Sequence, residues 1–208
     1  LDMSRGFAGS FCSRLMADQG ASVFKMSLKG RKDISLDYGS PLGIYPDKPD
    51  TPIYHYLNLN KMPVNIEWSK DRFYDFLSNV DVLVEDLSSH ERGESIVTSF
   101  LSHIPPNALT CAINPFYRDS KWSNRPSSDL TAQAMAGDCS VNGTPGETPL
   151  KEPGTETEFM SGANAFLGLV SALVHRDKTG NGQSLEVSTQ HSALSSYGPY
   201  LLGALQTQ

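Results

Sequence analysis

Cysteine is scarce in this chain. Cys12, Cys111 and Cys139 are the only three, odd in number and without a Cys-x-x-Cys spacing, so neither a disulfide framework nor a thiolate zinc site is expected. A reducing, cytoplasmic setting fits that usage, with mitochondria and peroxisomes left open. Clustered positive charge is missing as well: 17 Lys and Arg are dispersed among 23 Asp and Glu, for a formal charge of −6. Nucleic acid and anionic membrane both need a concentrated positive field, so neither is expected as a partner, and a polyanionic ligand must find a local site. Long apolar runs are absent too. The longest, Phe166 to Val174, is broken by Gly168 and Ser171 and is too short to span a bilayer. The five histidines lack metal-ligand spacing, so no metal is expected; His175 stands where a helix end favours an imidazolium. Without an export signal, the sequon Asn142-Gly143-Thr144 reads as a turn.

What is present fits one domain with a substantial core, since 38% of the 208 residues are apolar. The pattern alternates helix and strand. Phe11, Leu15 and Met16 recur at helical spacing over Ala8 to Gln19, Gly20 sits where a left-handed C-cap belongs, and Ala21 to Lys25 follows as a strand. Residues 29 to 53 are irregular and rich in Pro, Gly, Asp and Lys, which in a compact domain marks a functional or mobile segment. A strand is expected over Val64 to Trp68, a helix over Lys70 to Asn79 and a buried strand over Asp81 to Glu85. That spacing implies a right-handed parallel crossover. A second unit follows, with a helix over Glu94 to His103, the breaker Pro105-Pro106 and a strand over Leu109 to Ile113. Further helices are expected at Asp129 to Ala136 and Gly162 to Arg176, and a last strand at Ser184 to Ser188. The fold class is therefore α/β, an open, mostly parallel sheet covered by helices, whose ligands belong beyond the carboxyl ends of the strands. Lys29 and Arg92 lie in such segments and are candidates to meet a phosphate.

The stretch from Glu158 to Gln183 is the most informative. It joins a carboxylate, the small pair Ser161-Gly162, an apolar helix and the turn Thr179-Gly-Asn-Gly182. The turn follows a helix and precedes a strand, the reverse of a phosphate loop, and reads as a helix C-cap. Ser10 and Ser161 lack a Gly-x-Ser-x-Gly elbow, which argues against a serine hydrolase. Glu158 has two readings: an acid that satisfies free N–H groups at its own helix start, or a nucleophile.

Several segments together resemble the class III CoA-transferases, the group of formyl-CoA transferase, carnitine CoA-transferase and α-methylacyl-CoA racemase. These are Leu1-Asp-Met-Ser-Arg-Gly-Phe-Ala-Gly9, Leu15 to Lys25, Asn58-Leu-Asn-Lys61, Asp81 to Glu85, Asp129 to Gly137, and Ser161-Gly162 through Gln183. The resemblance implies a Rossmann-like CoA-binding large domain spanning 1–208, with helices on both faces of its sheet, as a portion of a longer chain that also carries a small domain. It implies an interlocked homodimer, with acyl-CoA and a small carboxylic acid as substrates and no permanently bound cofactor. It also implies an aspartate four residues before the glycine equivalent to Gly162, which attacks the thioester to form an acyl anhydride. Here that position is Glu158, whose extra methylene moves the oxygens by more than ~1 Å. The CoA-contacting positions it points to are Phe7, Ala8, Lys29, Asp86, Leu87, Arg92 and Arg125. Several depart from the family pattern: Phe7 replaces a glutamine, Leu28 a basic residue, Met62 an arginine and Asp86 an asparagine. Asp86 beside a phosphate or an amide needs a compensating cation, for which Arg92 and Lys29 are the candidates. Three functions follow: a CoA-transferase using Glu158, a racemase-like proton-transfer enzyme, or a non-catalytic half retained for assembly.

Overall fold

A computed structural model describes residues 1–27, 30–38, 51–64, 70–196, 198 and 202–203. Every strand pairing among them is parallel. Strand β1 (Val23–Lys25) pairs with β2 (Lys61–Pro63), β3 (Val82–Glu85) with β4 (Leu109–Asn114), and β4 with β5 (Ser184–Ser188). Residues 1–3 join the two groups, because Asp2 bridges to Lys25 on one side and Val84 on the other. The Asp2 N–H donates to Phe24 O at 2.8 Å and the Met3 N–H to Val84 O at 2.9 Å. The order across the sheet is β2, β1, residues 1–3, β3, β4, β5. Counted along the chain this is the Rossmann order, and it reverses between residues 1–3 and β3.

Both faces are covered, which is why the strands are apolar on both sides. Helix α1 (Phe7–Asp18) and helix α8 (Glu156–Thr179) cover one face. There Ala8, Cys12, Ala165, Leu169 and Ala172 pack on Val84, Leu109, Cys111 and Ile113. Helix α3 (Lys70–Leu77) and helix α5 (Ser95–Leu101) cover the other, where Phe73, Leu77 and Val97 meet Met3, Met26, Leu83 and Leu87. Leu83 and Val84 go to opposite faces, as the two-residue period of a strand requires. Each fully buried leucine contributes ~1.5–3 kcal/mol to holding these layers together.

Helix α6 (Asp129–Ala136) and the strands β3 to β5 lie where the sequence places them. Gly20 and Gly180 are both left-handed, at φ +96° and +76°, as helix C-caps require. Of the strand expected over Val64 to Trp68 only Val64 is described, donating its N–H to Lys25 O at 2.9 Å; residues 65–69 are outside the described set, and β2 precedes them at Lys61–Pro63. The helix expected over Glu94 to His103 is preceded by a separate short one, α4 (Ser89–Gly93), which Ser88 and Glu91 start with a capping box. Helices α2 (Pro52–Asn58), α7 (Asp138–Val141) and α9 (Thr189–Ser196) had no periodic apolar signal. Helix α8 begins earlier than expected and runs for 24 residues, long and apolar enough by composition to cross a membrane. Its buried residues Ala165, Leu169 and Ala172 belong to the core cluster on the sheet, which is the packing of a core helix.

A buried charge network holds the first strand. The fully buried Asp2 carboxylate accepts from the Ser4 N–H at 2.9 Å, Ser4 Oγ at 2.6 Å and Ser13 Oγ at 2.7 Å. Lys61 Nζ lies 3.0 Å and Lys25 Nζ 3.3 Å from its Oδ2. Burial would raise the Asp2 pKa, but the two ammonium groups and the two hydroxyls hold it well below the usual carboxylate range. Lys25 donates further to Ser4 O at 2.7 Å and Ser10 Oγ at 2.9 Å, which ties β1 to the start of α1.

Candidate active site

The turn Ser4-Arg5-Gly6 leaves residues 1–3 at the point where the strand order reverses and enters α1. No side chain caps α1 through its Gly6 N-cap, yet its free N–H groups are met by two carboxylates from elsewhere in the chain. Asp86, just after β3, accepts through Oδ2 from the N–H groups of Arg5 at 2.9 Å and Gly6 at 2.8 Å. Glu158, in the first turn of α8, accepts through Oε2 from the Ala8 N–H at 3.3 Å. Anions are favoured at such a helix start because unpaired N–H groups and the helix dipole both point there.

Gly162 is what lets Glu158 reach. The two lie one turn apart on the same face of α8, and a Cβ on Gly162 would come within 2.5 Å of Ala8 O and 3.1 Å of Phe11 Cβ. Only a residue without that atom lets α8 approach α1 so closely. Glu158 therefore does not cap its own helix. That duty falls to Asp129, whose Oδ1 accepts from the Thr157 N–H at 3.1 Å.

The two carboxyls are both pushed toward the neutral form, by different balances. Burial raises the pKa of Glu158 to about 7, the negative charges of Asp86 and Asp129 add to the rise, and the Ala8 amide opposes it. Burial raises Asp86 as well, against the pull of Arg31 and of the Arg5 and Gly6 amides. The cation beside Asp86 is Arg31, with Nη2 at 2.9 Å from Oδ1, and not Arg92. Arg92 and Arg118 instead bind the buried Glu85 carboxylate, at 2.5 and 2.7 Å. Lys29, the other cation expected near Asp86, lies outside the described residues.

Beyond the ends of β3 and β4 opens a cavity of about 510 Å³, a size that suits a small organic ligand. Arg5, Asp86, Leu87, Ser88, Arg118 and Arg125 are among the residues that line it. Arg125 is exposed, its guanidinium 5.9 Å from the Trp122 ring. The Leu87 side chain is buried in the core, and its N–H donates to Glu85 at 2.6 Å. Phe7 is also buried, edge-on to Tyr38 and Phe159 at 5.0 and 6.2 Å, so it offers a wall and no hydrogen bond. Of the residues singled out from sequence, Phe7, Ala8, Asp86, Leu87 and Glu158 come together around Gly6, Arg125 lines the cavity, and Arg92 is held by Glu85. Arg5, Arg31 and Arg118 were missed; Arg31 lies just past the segment after β1 where a cation was sought. Among the described residues no group of three His, Cys, Asp or Glu could hold a metal ion.

The fold is an α/β Rossmann-like sheet with Asp86 and Glu158 meeting at its strand-order reversal and a cavity at the strand ends that Asp86, though not Glu158, lines. The chain belongs to CoA-transferase family III, whose family model matches residues 1–208. It is 26% identical over 207 residues to succinyl-CoA:mesaconate CoA-transferase of Haloarcula marismortui, covering 94% of this chain and 51% of that protein. It is 26% identical over 201 residues to formyl-CoA:oxalate CoA-transferase of Escherichia coli, covering 93% and 47%. The chain thus spans about half the length of these relatives. Among solved structures, a CAIB/BAIF family protein from Brucella suis superposes with a TM-score of 0.82 at 19% identity over 98% of this chain and 55% of that one. A hypothetical protein from Mycobacterium tuberculosis gives 0.76 at 20% over 98% and 56%. At those identities the likeness carries the fold.

Proposed function

We propose that this chain is the large-domain part of an acyl-CoA:carboxylate CoA-transferase in which Glu158 is the nucleophile. The observation that carries the reading is the placement of the Glu158 carboxyl on the Ala8 amide at the start of α1, the turn to which Asp86 of the cavity lining is also bound. As carboxylate, Glu158 attacks the thioester carbonyl carbon, the C–S bond breaks, CoA leaves as thiolate and a glutamyl–acyl anhydride forms. The thiolate attacks the glutamyl carbonyl, releasing the donor acid and leaving a glutamyl thioester. The acceptor carboxylate displaces CoA from that thioester, and thiolate attack on the acceptor's carbonyl in the new anhydride yields its CoA ester and restores Glu158. Covalent capture of this kind divides one hard exchange between two carboxylates into easier steps.

The cavity and the cations Arg5 and Arg125 in its lining support placement of the CoA moiety there. Pairing into an interlocked dimer belongs to the same proposal, and the exposed Leu167, Val170 and Val174 on α8 support a covered apolar face. Hydroxylamine added with acyl-CoA should leave a hydroxamate on Glu158 in the full-length protein, and Glu158→Ala should abolish both trapping and exchange. Exchange that survives Glu158→Ala sinks the reading.

One observation favours a second reading, a non-catalytic half retained for assembly: the cation expected from sequence at Arg92 is already committed to Glu85. A chain that fails to bind CoA at millimolar concentration in calorimetry would fit that alternative.

A further inference from the structure

The Gly6 turn is held between two carboxyls with unequal partners. Asp86 has three donors, the Arg5 and Gly6 amides at 2.9 and 2.8 Å and the Arg31 guanidinium at 2.9 Å. Glu158 has the Ala8 amide, at 3.3 Å. A Cβ built on Gly6 would lie 3.2 Å from Asp86 Oδ2 and 3.9 Å from Glu158 Oε2, so both carboxyls crowd one small residue. Two acids that crowd one residue in a site partly shielded from water do not ionise independently, and the one with more donors keeps its charge.

We propose that Asp86 is a positioning residue for Glu158: burial disfavours charge on both acids, but Asp86 has three donors to Glu158's one, so Asp86 takes the charge the pair can hold and one proton stays on the Glu158 carboxyl. The rise of Glu158 to about 7 under burial, Asp86 and Asp129 accords with this. The other charges around the pair reinforce the asymmetry. Arg31 is shared with Glu91, whose Oε1 lies 2.6 Å from its Nε, so it does not neutralise Glu158 in addition. On α6, Asp129 faces Glu158 with a negative charge, and its own cation, Lys151, sits 2.7 Å from its Oδ2. Arg5 reaches the solvent side of the same turn.

The consequence for catalysis rests on the transferase reading above. The protonated acid is a donor to a thioester carbonyl and a poor nucleophile; attack becomes available as the proton leaves. The site would then be gated by pH through a residue that takes no part in the covalent steps.

The test is made on the full-length protein carrying ¹³C-labelled glutamate side chains, with the Glu158 carboxyl signal assigned by its loss in Glu158→Gln and followed by NMR against pH. In wild type the Glu158 midpoint should fall near neutrality. In Asp86→Asn it should drop by at least a tenfold change in acid constant, and in Asp129→Asn by less. An ordinary glutamate midpoint in wild type, or an unchanged one in folded Asp86→Asn, overturns the inference. Should Asp86→Asn not fold, the wild-type Glu158 signal decides: it should carry a second, smaller inflection at lower pH as Asp86 ionises, and a single inflection overturns the coupling. The readout does not need turnover. A chain that titrates as described but exchanges no CoA keeps this inference and removes the transferase reading. Where exchange is present, its rate should rise through the Glu158 midpoint, and that limb should move to lower pH in Asp86→Asn.

Discussion

Two acids near the same first strand have opposite surroundings. Asp2 is fully buried and yet strongly ionised, because two lysines, two hydroxyls and a backbone amide surround it. Glu158 is half-buried and held toward its neutral form by that burial, which one long amide contact opposes only weakly and two further acids reinforce. Burial works against ionisation in both; the partners decide the outcome. A carboxylate satisfied on every side serves as a fastener, while an under-satisfied one is free to react. The same contrast separates Arg92, fixed on Glu85, from Arg125, exposed in the cavity lining.

The strongest way to break the comparison is Asp2→Ala. It leaves Lys25 and Lys61 buried without their shared counter-charge, and chemical denaturation should show a loss of ~3–5 kcal/mol. A loss under about 1 kcal/mol would mean that the lysines find other partners and that Asp2 is no fastener. Next in size is Gly162→Ala. The added methyl meets Ala8 O, a backbone atom, so α8 must back away from α1, with an expected cost of ~1–3 kcal/mol in thermal or chemical unfolding. Glu158 should also lose the Ala8 amide, which an amide-proton shift at Ala8 would report.

The pH dependence of stability sharpens the contrast because the two acids predict opposite slopes. Glu158 has a folded pKa raised from 4.5 to about 7. Between those values the folded chain holds a proton that the unfolded chain releases, so its contribution is full below pH 4.5 and is lost as pH rises to 7. The slope is at most about 1.4 kcal/mol per pH unit. Asp2 has a folded pKa below its ordinary 3.8, so its contribution is present above that value and lost as pH falls below it. Denaturation at several pH values should show Glu158→Gln flattening only the limb between pH 4.5 and 7. A Glu158→Gln curve parallel to wild type there would remove the shifted acid. The smallest effect is expected from Arg125→Ala: stability within ~0.5 kcal/mol of wild type, and CoA affinity reduced ~2–5-fold in calorimetry.

Much of this was legible in the sequence where apolar residues carried the pattern. The strands β3, β4 and β5 and the helix α6 follow from short apolar runs, a helical repeat and Gly punctuation. Residues 1–3 and β2 were hidden because polar side chains mark them: Asp2 and Lys61 look like surface residues until each is seen to be the other's partner. Glu158 was legible as a special acid, through its spacing to Gly162, but its target was not. The Ala8 amide is 150 positions away, and nothing local distinguishes reaching it from capping α8. Asp86 was flagged as needing a cation, and Arg31 escaped notice because the pairing depends on how the segment after β1 folds back.

The place of residues 1–3 in the middle of the sheet also bears on how the chain reaches its fold. Their neighbours are β1 and β3, and the turn that follows them closes only when Arg5 meets Asp86, 81 positions later. Residues 1–3 can meet β1 early, but their place between two strands is complete only once β3 has formed. Loop closure over that distance comes before any contact repays it, so the central strand is a late and slow step. Variants that weaken Asp2 or its lysines should populate a state with α8 and β3 to β5 assembled and the opening segment still free.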